Sequence, residues 1–477
     1  MTRLTLWIAP VSLATLLFLE GCGGSGQQEK GTDAGGAALQ NPAQGKPSND
    51  AAAKEPVAGS IDPTKVPPVV AGEVKGGEAS RGPSRTDHLW LLPDPKTSIQ
   101  DEPLTVEVPK GLPPLIPGVY VPLSNPLTKA KFELGKQLYF EPRISKNTTI
   151  SCATCHNPEK SWTDKMATSI GIFGQVGGRS APTVLNTVYG RSMFWDGRAP
   201  SLEGQSQGPP QNKIEMGDQS YEEIVDRLRA IPGYRDQFKK VFGTDVTLDG
   251  IAKAIATFER AAALTGNSAY DKYQDPSEPD HNKALTDSQK RGMVLFGLQL
   301  NGDDTSNCAV GGSKGNCTAC HAGFNFSDEQ FHNLGVGWKA ADGVFADQGR
   351  YSAELVGAKN PADLGSFKTP TCRNVEKTGP YMHDGSERTL EAVVEFYDKG
   401  GNPNPTLDKE MRPLKLTSQE KADLVAFLKA LTGESPKLTL PTLPPGPDGK
   451  SPNPKDALEA PPMKTAGLNS FHAAFVR

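Results

Sequence analysis

The chain has almost no excess charge of either sign: 51 Lys and Arg stand against 55 Asp and Glu, a net of −4 over 477 residues. That balance removes the electrostatic case for nucleic acid as a partner. Long apolar runs are equally scarce. Only Leu4 to Leu19 is long enough to enter a bilayer, and it lies at the extreme N-terminus, which excludes a multi-helix membrane protein. β-branched alternation of the kind that marks strands is thin throughout. Histidine is rare, with seven residues in all and none between His156 and His281. In contrast, 50 glycines and 41 prolines far exceed the usual share of about 12%, so long stretches cannot build a packed core.

The N-terminus reads as an address followed by a tether. Arg3 gives a short positive region, Leu4 to Leu19 the apolar region, and Leu19-Glu20-Gly21-Cys22 the processing site of a secretory signal over 1–22. A cysteine after small Gly21 resembles a lipoprotein box, in which Cys22 carries the lipid and anchors the protein to a membrane surface. The alternative is an ordinary cleaved signal. Either reading puts the protein outside the cytoplasm, in the periplasm. Residues 23–118 are rich in Gly, Ala, Pro, Ser and Lys and read as a flexible linker; the patch around Trp90 is the one apolar segment that could dock. Residues 436–477 form a Pro-rich, irregular tail.

The remainder is expected to be all-α, two similar helical domains in tandem over 119–275 and 276–435. Asn125-Pro126 marks a helix start, with Leu127, Leu134 and Leu138 on one face and Gly135 beside them. The same grammar returns as Thr286 and Gln289, a capping box, followed by Gly292, Leu295 and Phe296. Each half closes on an amphipathic helix. Ile251, Ile255 and Phe258 form the first stripe; Leu424, Phe427, Leu428 and Leu431 form the second, after a Thr417/Glu420 capping box and before Gly433.

Between the opening and closing helices each half carries Cys-x-x-Cys-His: Cys152, Cys155 and His156, then Cys317, Cys320 and His321. Paired thiols at this spacing add to the two vinyl groups of haem, and the adjacent imidazole turns onto the iron. Zinc would need four ligands where each motif offers three, and the two motifs are 165 residues apart. A thioredoxin-like pair would need a strand-to-helix setting. Two covalently bound haem c groups are therefore expected, one in each of two cytochrome c-like domains in tandem. Of the seven cysteines this leaves Cys308 and Cys372, a candidate disulfide in an oxidising compartment.

The segments Gly178-Arg179-Ser180-Ala181-Pro182, Phe194-Trp195-Asp196-Gly197-Arg198-Ala199, Ile214-Glu215-Met216-Gly217 and Pro380-Tyr381-Met382-His383-Asp384-Gly385, with both haem motifs, resemble the bacterial dihaem cytochrome c peroxidase family and its MauG-like members over about Leu127 to Leu431. The resemblance implies that Glu215 is the acid–base residue over an N-terminal, peroxidatic haem and that Trp195 bridges electrons between the haems. It implies further that Arg198 and Arg179 neutralise propionates, and that the carbonyls of Thr378 and Pro380 bind calcium. The family's asparagine at that junction is Ser180 here, which offers no amide oxygen, so one calcium ion stays open. His332 and His383 read as structural.

Two departures bear on mechanism. Typical members carry an iron-blocking histidine sixteen residues after the haem histidine; here that position is Ile172, so the first iron should be open without reductive activation. The axial methionine of the second haem aligns with Tyr397, as in MauG-like members, and Met411 is its rival. The resemblance implies hydrogen peroxide as substrate, with electrons from a small periplasmic cytochrome c or cupredoxin, or alternatively from Trp or Tyr side chains of a partner protein that become modified. A non-enzymatic, membrane-tethered dihaem electron carrier is a third reading. Family members are often homodimers, an analogy only.

Overall fold

The computed structural model describes residues 101–302, 304, 313–353, 359–435 and 437–460. The signal segment, Cys22, Trp90 and Cys308 lie outside them, and with Cys308 the expected Cys308–Cys372 disulfide.

The first half holds α1 (Lys129–Tyr139), α2 (Cys152–Cys155), α3 (Leu202–Gln211), α4 (Tyr221–Arg229), α5 (Pro232–Phe242) and α6 (Leu248–Ala262). Its core is one cluster in which Leu134, Leu138 and Tyr139 of α1 meet Ile251, Ala254, Ile255 and Phe258 of α6, with Trp162 and Phe140 beside them. The second half holds α7 (Ala269–Gln274), α8 (Asp287–Phe296), α9 (Leu390–Asp398) and α10 (Ser418–Ala430), centred on Met293, Leu295, Phe296, Leu424, Phe427 and Leu428. Both expected capping boxes form, Thr286 with Gln289 and Thr417 with Glu420.

Glycine fixes the main helix crossing in each half. A Cβ on Gly135 would lie 1.9 Å from the Ala254 carbonyl oxygen, and one on Gly292 would lie 1.9 Å from the Asp423 carbonyl oxygen. α1 therefore packs backbone to backbone on α6, and α8 does the same on α10.

Four features depart from the sequence reading. The chain is helix-rich rather than purely helical: β1 (Phe331–His332) pairs antiparallel with β4 (Phe367–Lys368), and β2 (Trp338–Lys339) with β3 (Val344–Phe345). Two-residue strands are too short to leave a periodic signal. Tyr273 of α7, just before residue 276, is fully buried in the second core, with Tyr270 packed beside it.

The flexible linker ends earlier than residue 118. From Asp101 onward it is laid on the body, with Val106, Val108, Leu112 and Leu115 against Val188, Tyr189 and Leu264. Asp101, not Asn125, caps α1: its carboxylate accepts from Ala130 N at 2.8 Å and Lys131 N at 3.1 Å. Asn125 instead ties Glu203 and the Lys253 carbonyl together.

The Pro-rich tail also folds back. Leu438, Leu440 and Leu458 join the first core, Arg143 donates to the Pro444 carbonyl at 2.9 Å, and Thr154 donates to the Ala457 carbonyl at 2.6 Å. Side-chain spacing did not reveal these segments because each docks through a few scattered apolar residues and backbone carbonyls.

Gly135→Ala should destabilise the protein by about 1–3 kcal/mol, since the methyl must displace backbone. Gly204→Ala on α3, where the nearest atoms would lie 3.5 Å or more from the new Cβ, should be neutral or stabilising by up to about 1 kcal/mol. Paired thermal melts check both signs.

Candidate functional site

Each half builds a cavity beside its Cys-x-x-Cys-His motif. In the first, Ser151 N donates to Thr154 Oγ1 at 3.0 Å to open α2, which sets Cys152 and Cys155 in the wall of a cavity of about 620 Å³ together with His156. Tyr139 fixes the end of the turn by donating to the His156 carbonyl at 2.7 Å. In the second, Cys317 opens a short 3₁₀ turn, and Cys317, Cys320 and His321 line a cavity of about 310 Å³. His321 Nδ1 donates to the Phe326 carbonyl at 2.9 Å, which leaves Nε2 for a ligand. Cys372 Sγ lies 3.1 Å from the same Nδ1.

The donor chemistry fits haem. Burial lowers the pKa of both His156 and His321, so both are neutral imidazoles, the form that binds iron. Burial also pushes the Cys155 and Cys317 thiols up to about 12 and raises Cys152. Protonated thiols in apolar walls suit addition to vinyl groups better than a thiolate metal site. Cys320, Asp328 and His332 also lie close together, but the His332 ring is held on both nitrogens, by Asp408 at 2.6 Å and Asp328 at 2.9 Å.

Glu215 lines the first cavity. Its Oε1 accepts from Asn212 Nδ2 at 2.8 Å, and Asn212 Oδ1 accepts from the backbone of Ile214 at 2.9 Å, an Asx turn that aims the carboxyl. Burial raises the Glu215 pKa, opposed by the positive charges of Arg198 and Arg179. Sequence reasoning passed over Asn212, although an Asn three residues before a candidate acid, just after Pro209-Pro210, was a visible signal.

Ile172 is fully buried in the first core, and its backbone N donates to the carbonyls of Ile214 and Glu215 at 3.0 and 2.9 Å. It therefore braces the Glu215 turn from behind.

Trp195 lines both cavities. Its indole N–H donates to the Ser180 carbonyl at 3.0 Å, and its carbonyl accepts from Lys368 N at 2.7 Å. Ser180 in turn donates its N–H to the His383 carbonyl at 2.7 Å and its hydroxyl to the Met382 carbonyl at 3.0 Å. Its hydroxyl is thus engaged with protein at the junction where the resemblance put calcium; Thr378 and Pro380 stand in the wall of the second cavity. The His383 ring stacks on Phe367 at 3.6 Å, and burial lowers its pKa to about 4.

Arg179 and Arg198 both line the first cavity, but each already carries a carboxylate. Arg179 reaches Asp347 at 2.6 and 2.9 Å and Asp196 at 2.7 Å; Arg198 reaches Asp196 at 2.9 Å and lies 3.5 Å over the Phe194 ring. The two aspartates balance the two guanidiniums, a network the sequence reading did not foresee.

Tyr397 and Met411 both line the second cavity. Tyr397 comes from the last turn of α9, and burial together with the thiols of Cys372, Cys320 and Cys317 raises its phenol pKa.

A family model described as di-haem cytochrome c peroxidase matches residues 129–278. The chain is 39% identical to methylamine utilization protein MauG of Methylorubrum extorquens over 326 residues, 68% of this chain and 84% of that protein. It is 40% identical to cytochrome c551 peroxidase of Nitrosomonas europaea over 316 residues, 66% and 83% of the two chains. The crystal structure of a MauG-like protein associated with microbial copper homeostasis superposes with a TM-score of 0.57 at 32% identity, covering 68% of this chain and 95% of that one. The diheme peroxidase BthA of Burkholderia thailandensis shares the fold, with a TM-score of 0.52 at 20% identity over 74% of this chain and 98% of that one.

The Glu215 carboxyl should titrate above the ordinary 4.5. Asn212→Ala removes a hydrogen bond that favours the charged form, so its pKa should rise further. Infrared difference spectra of the carboxyl C=O stretch over a pH series measure both shifts; a fall in the variant would contradict the Asx-turn account.

Proposed function

The chain belongs to the dihaem cytochrome c peroxidase family and is an oxidoreductase of the peroxidase type; from that premise we propose that it reduces hydrogen peroxide in the first cavity, with electrons entering through the second. The observation that carries this reading is Glu215: a buried carboxyl, aimed by Asn212, in the same wall system as Cys152, Cys155 and His156.

Haem c in each cavity would supply iron that binds peroxide at the first site and passes electrons at the second. Cys152 and Cys155 would hold one group covalently with His156 as its iron ligand; Cys317, Cys320 and His321 would do the same for the other. Peroxide needs two electrons and two protons to become two waters. Glu215 takes the proton from the near oxygen and returns it to the far one, so that the leaving group departs as water. Its raised proton affinity suits both directions of transfer. Ile172, packed in the core, is no ligand for the first iron, which supports a site that reacts without reductive activation. Trp195, in the wall of both cavities, is the bridge for the second electron. Tyr397, rather than Met411, would be the second protein ligand of the group held by His321.

The donor is a small periplasmic cytochrome c or cupredoxin. Secretion through residues 1–22 and a lipid on Cys22 would hold the enzyme at a membrane surface within reach of it. A second reading is favoured by one feature, the phenol of Tyr397 in the second cavity. A phenolate ligand favours oxidised iron, which suits oxidation of Trp or Tyr side chains on a partner protein, the MauG-like alternative.

Stoichiometric peroxide added to the fully ferric protein should change the Soret band rapidly in stopped-flow, and Glu215→Gln should slow that reaction by roughly 10²–10⁴-fold. No change in the wild type would overturn the open first site. Sustained multiple turnover with reduced cytochrome c supports peroxide removal; a single turnover without it supports the partner-protein reading.

A further inference from the structure

The two halves share one helix crossing, so they can be compared position by position. A Cβ on Gly135 would meet the Ala254 carbonyl and Phe258 Cβ, and one on Gly292 would meet the Asp423 carbonyl and Phe427 Cβ. Ala254 therefore corresponds to Asp423 and Phe258 to Phe427. One residue on, Glu259 corresponds to Leu428. Both line their cavities. In the second half the position holds a buried leucine, the ordinary residue for an apolar wall. In the first it holds a carboxyl whose residue is only 5% exposed.

That carboxyl is poorly served. Its Oε2 is buried and has no hydrogen-bond partner. The neighbouring Arg260 does not pair with it; Arg260 donates both terminal nitrogens to Glu203, at 2.6 and 2.7 Å. The groups that face Glu259 are Arg260 on its own helix, Glu203 from α3, Tyr139 from α1 and Cys152 from α2; Glu215, Arg179 and Arg198 stand elsewhere in the same cavity wall. A carboxylate whose buried Oε2 has no donor, and whose neighbouring guanidinium is committed to Glu203, is relieved by holding a proton. Burial, with Glu203 adding to it and Arg260 opposing, raises its pKa to about 8.

We propose that Glu259 is the redox-linked proton site of the first haem, binding one proton when that haem gains one electron and releasing it on reoxidation. The proposal rests on the reading that the first cavity holds haem c. One electron arrives from the second haem or a chemical reductant and takes ferric iron to ferrous. One proton arrives from solvent and turns the Glu259 carboxylate into a carboxylic acid, and the new O–H bond is the only bond formed. The coupling is electrostatic. Reduction removes one positive charge from a low-dielectric cavity, so the nearby carboxylate loses stabilisation and its proton affinity rises. Leu428 offers the second haem no such group, so this wall position gives proton coupling to one haem alone.

The test is a redox titration of the full-length dihaem protein, followed by visible and electron paramagnetic resonance spectra that separate the two haems, between about pH 6 and pH 9. The first-haem potential should fall as pH rises, by at most about 59 mV for each tenfold change in proton concentration in a one-electron couple. In Glu259→Gln it should be flat across the same range. Glu259→Leu, which copies Leu428, should give the same flat profile and guards against a glutamine that disturbs packing. Glu215→Gln should keep the slope. A slope that survives both Glu259 substitutions, a slope lost in Glu215→Gln, or a wild type that is already flat overturns the assignment. A pyridine haemochromogen assay that finds fewer than two haems in the wild type overturns the cavity reading, and the proposal with it.

Discussion

Everything in this molecule hangs on two places where one helix backbone lies directly on another. Gly135 against the Ala254 carbonyl and Gly292 against the Asp423 carbonyl leave no room for a single methyl group. Such close approach locks the angle and register of α1 on α6 and of α8 on α10. Those crossings decide which side chains of the closing helix look into the cavity and which look into the core. The haem motifs, the Glu215 turn and the shared wall around Trp195 are then assembled around two rigid frames. Because the frames are alike, the chemical difference between the halves lies in what each frame presents: Glu215, Arg179 and Arg198 in the first, Tyr397, Met411 and Cys372 in the second.

Much of this was legible in the sequence, for identifiable reasons. The Cys-x-x-Cys-His pentapeptides are local, so the chemistry expected of them can be read without the fold. Capping boxes at Thr286 and Thr417 are local too, and both formed. The glycine repeat pointed to two like helix crossings, because Gly135 and Gly292 sit at matching points of matching helices. What stayed hidden depends on distant partners. Nothing near Asp101 announces that it caps a helix 28 residues on, and Asp347 gives no local sign that it grips Arg179 across 168 residues. Asn212 was within reach of a careful reading, since Asn at that spacing builds an Asx turn. Glu259 was hidden by its surroundings, as one acid in a helix otherwise read for its apolar stripe.

The junction between the halves is made of backbone as much as side chain. Trp195 is pinned at both ends, its indole on Ser180 and its carbonyl on Lys368, while Ser180 is itself tied to Met382 and His383. A ring held this way has few orientations open to it, which suits the electron-bridging role proposed for it. The carboxylates on Arg179 and Arg198 do similar work at the cavity edge, keeping positive charge in place without leaving it uncompensated.

The tail that folds back makes the first site depend on sequence far outside its own half. Thr154, in the middle of the first Cys-x-x-Cys-His motif, finds its acceptor in Ala457, 303 residues downstream, and Leu458 completes the same core. The wall behind α2 is thus closed by a segment that belongs to neither half. A change at Ala457 or Leu458 would reach the first motif although neither residue lines its cavity.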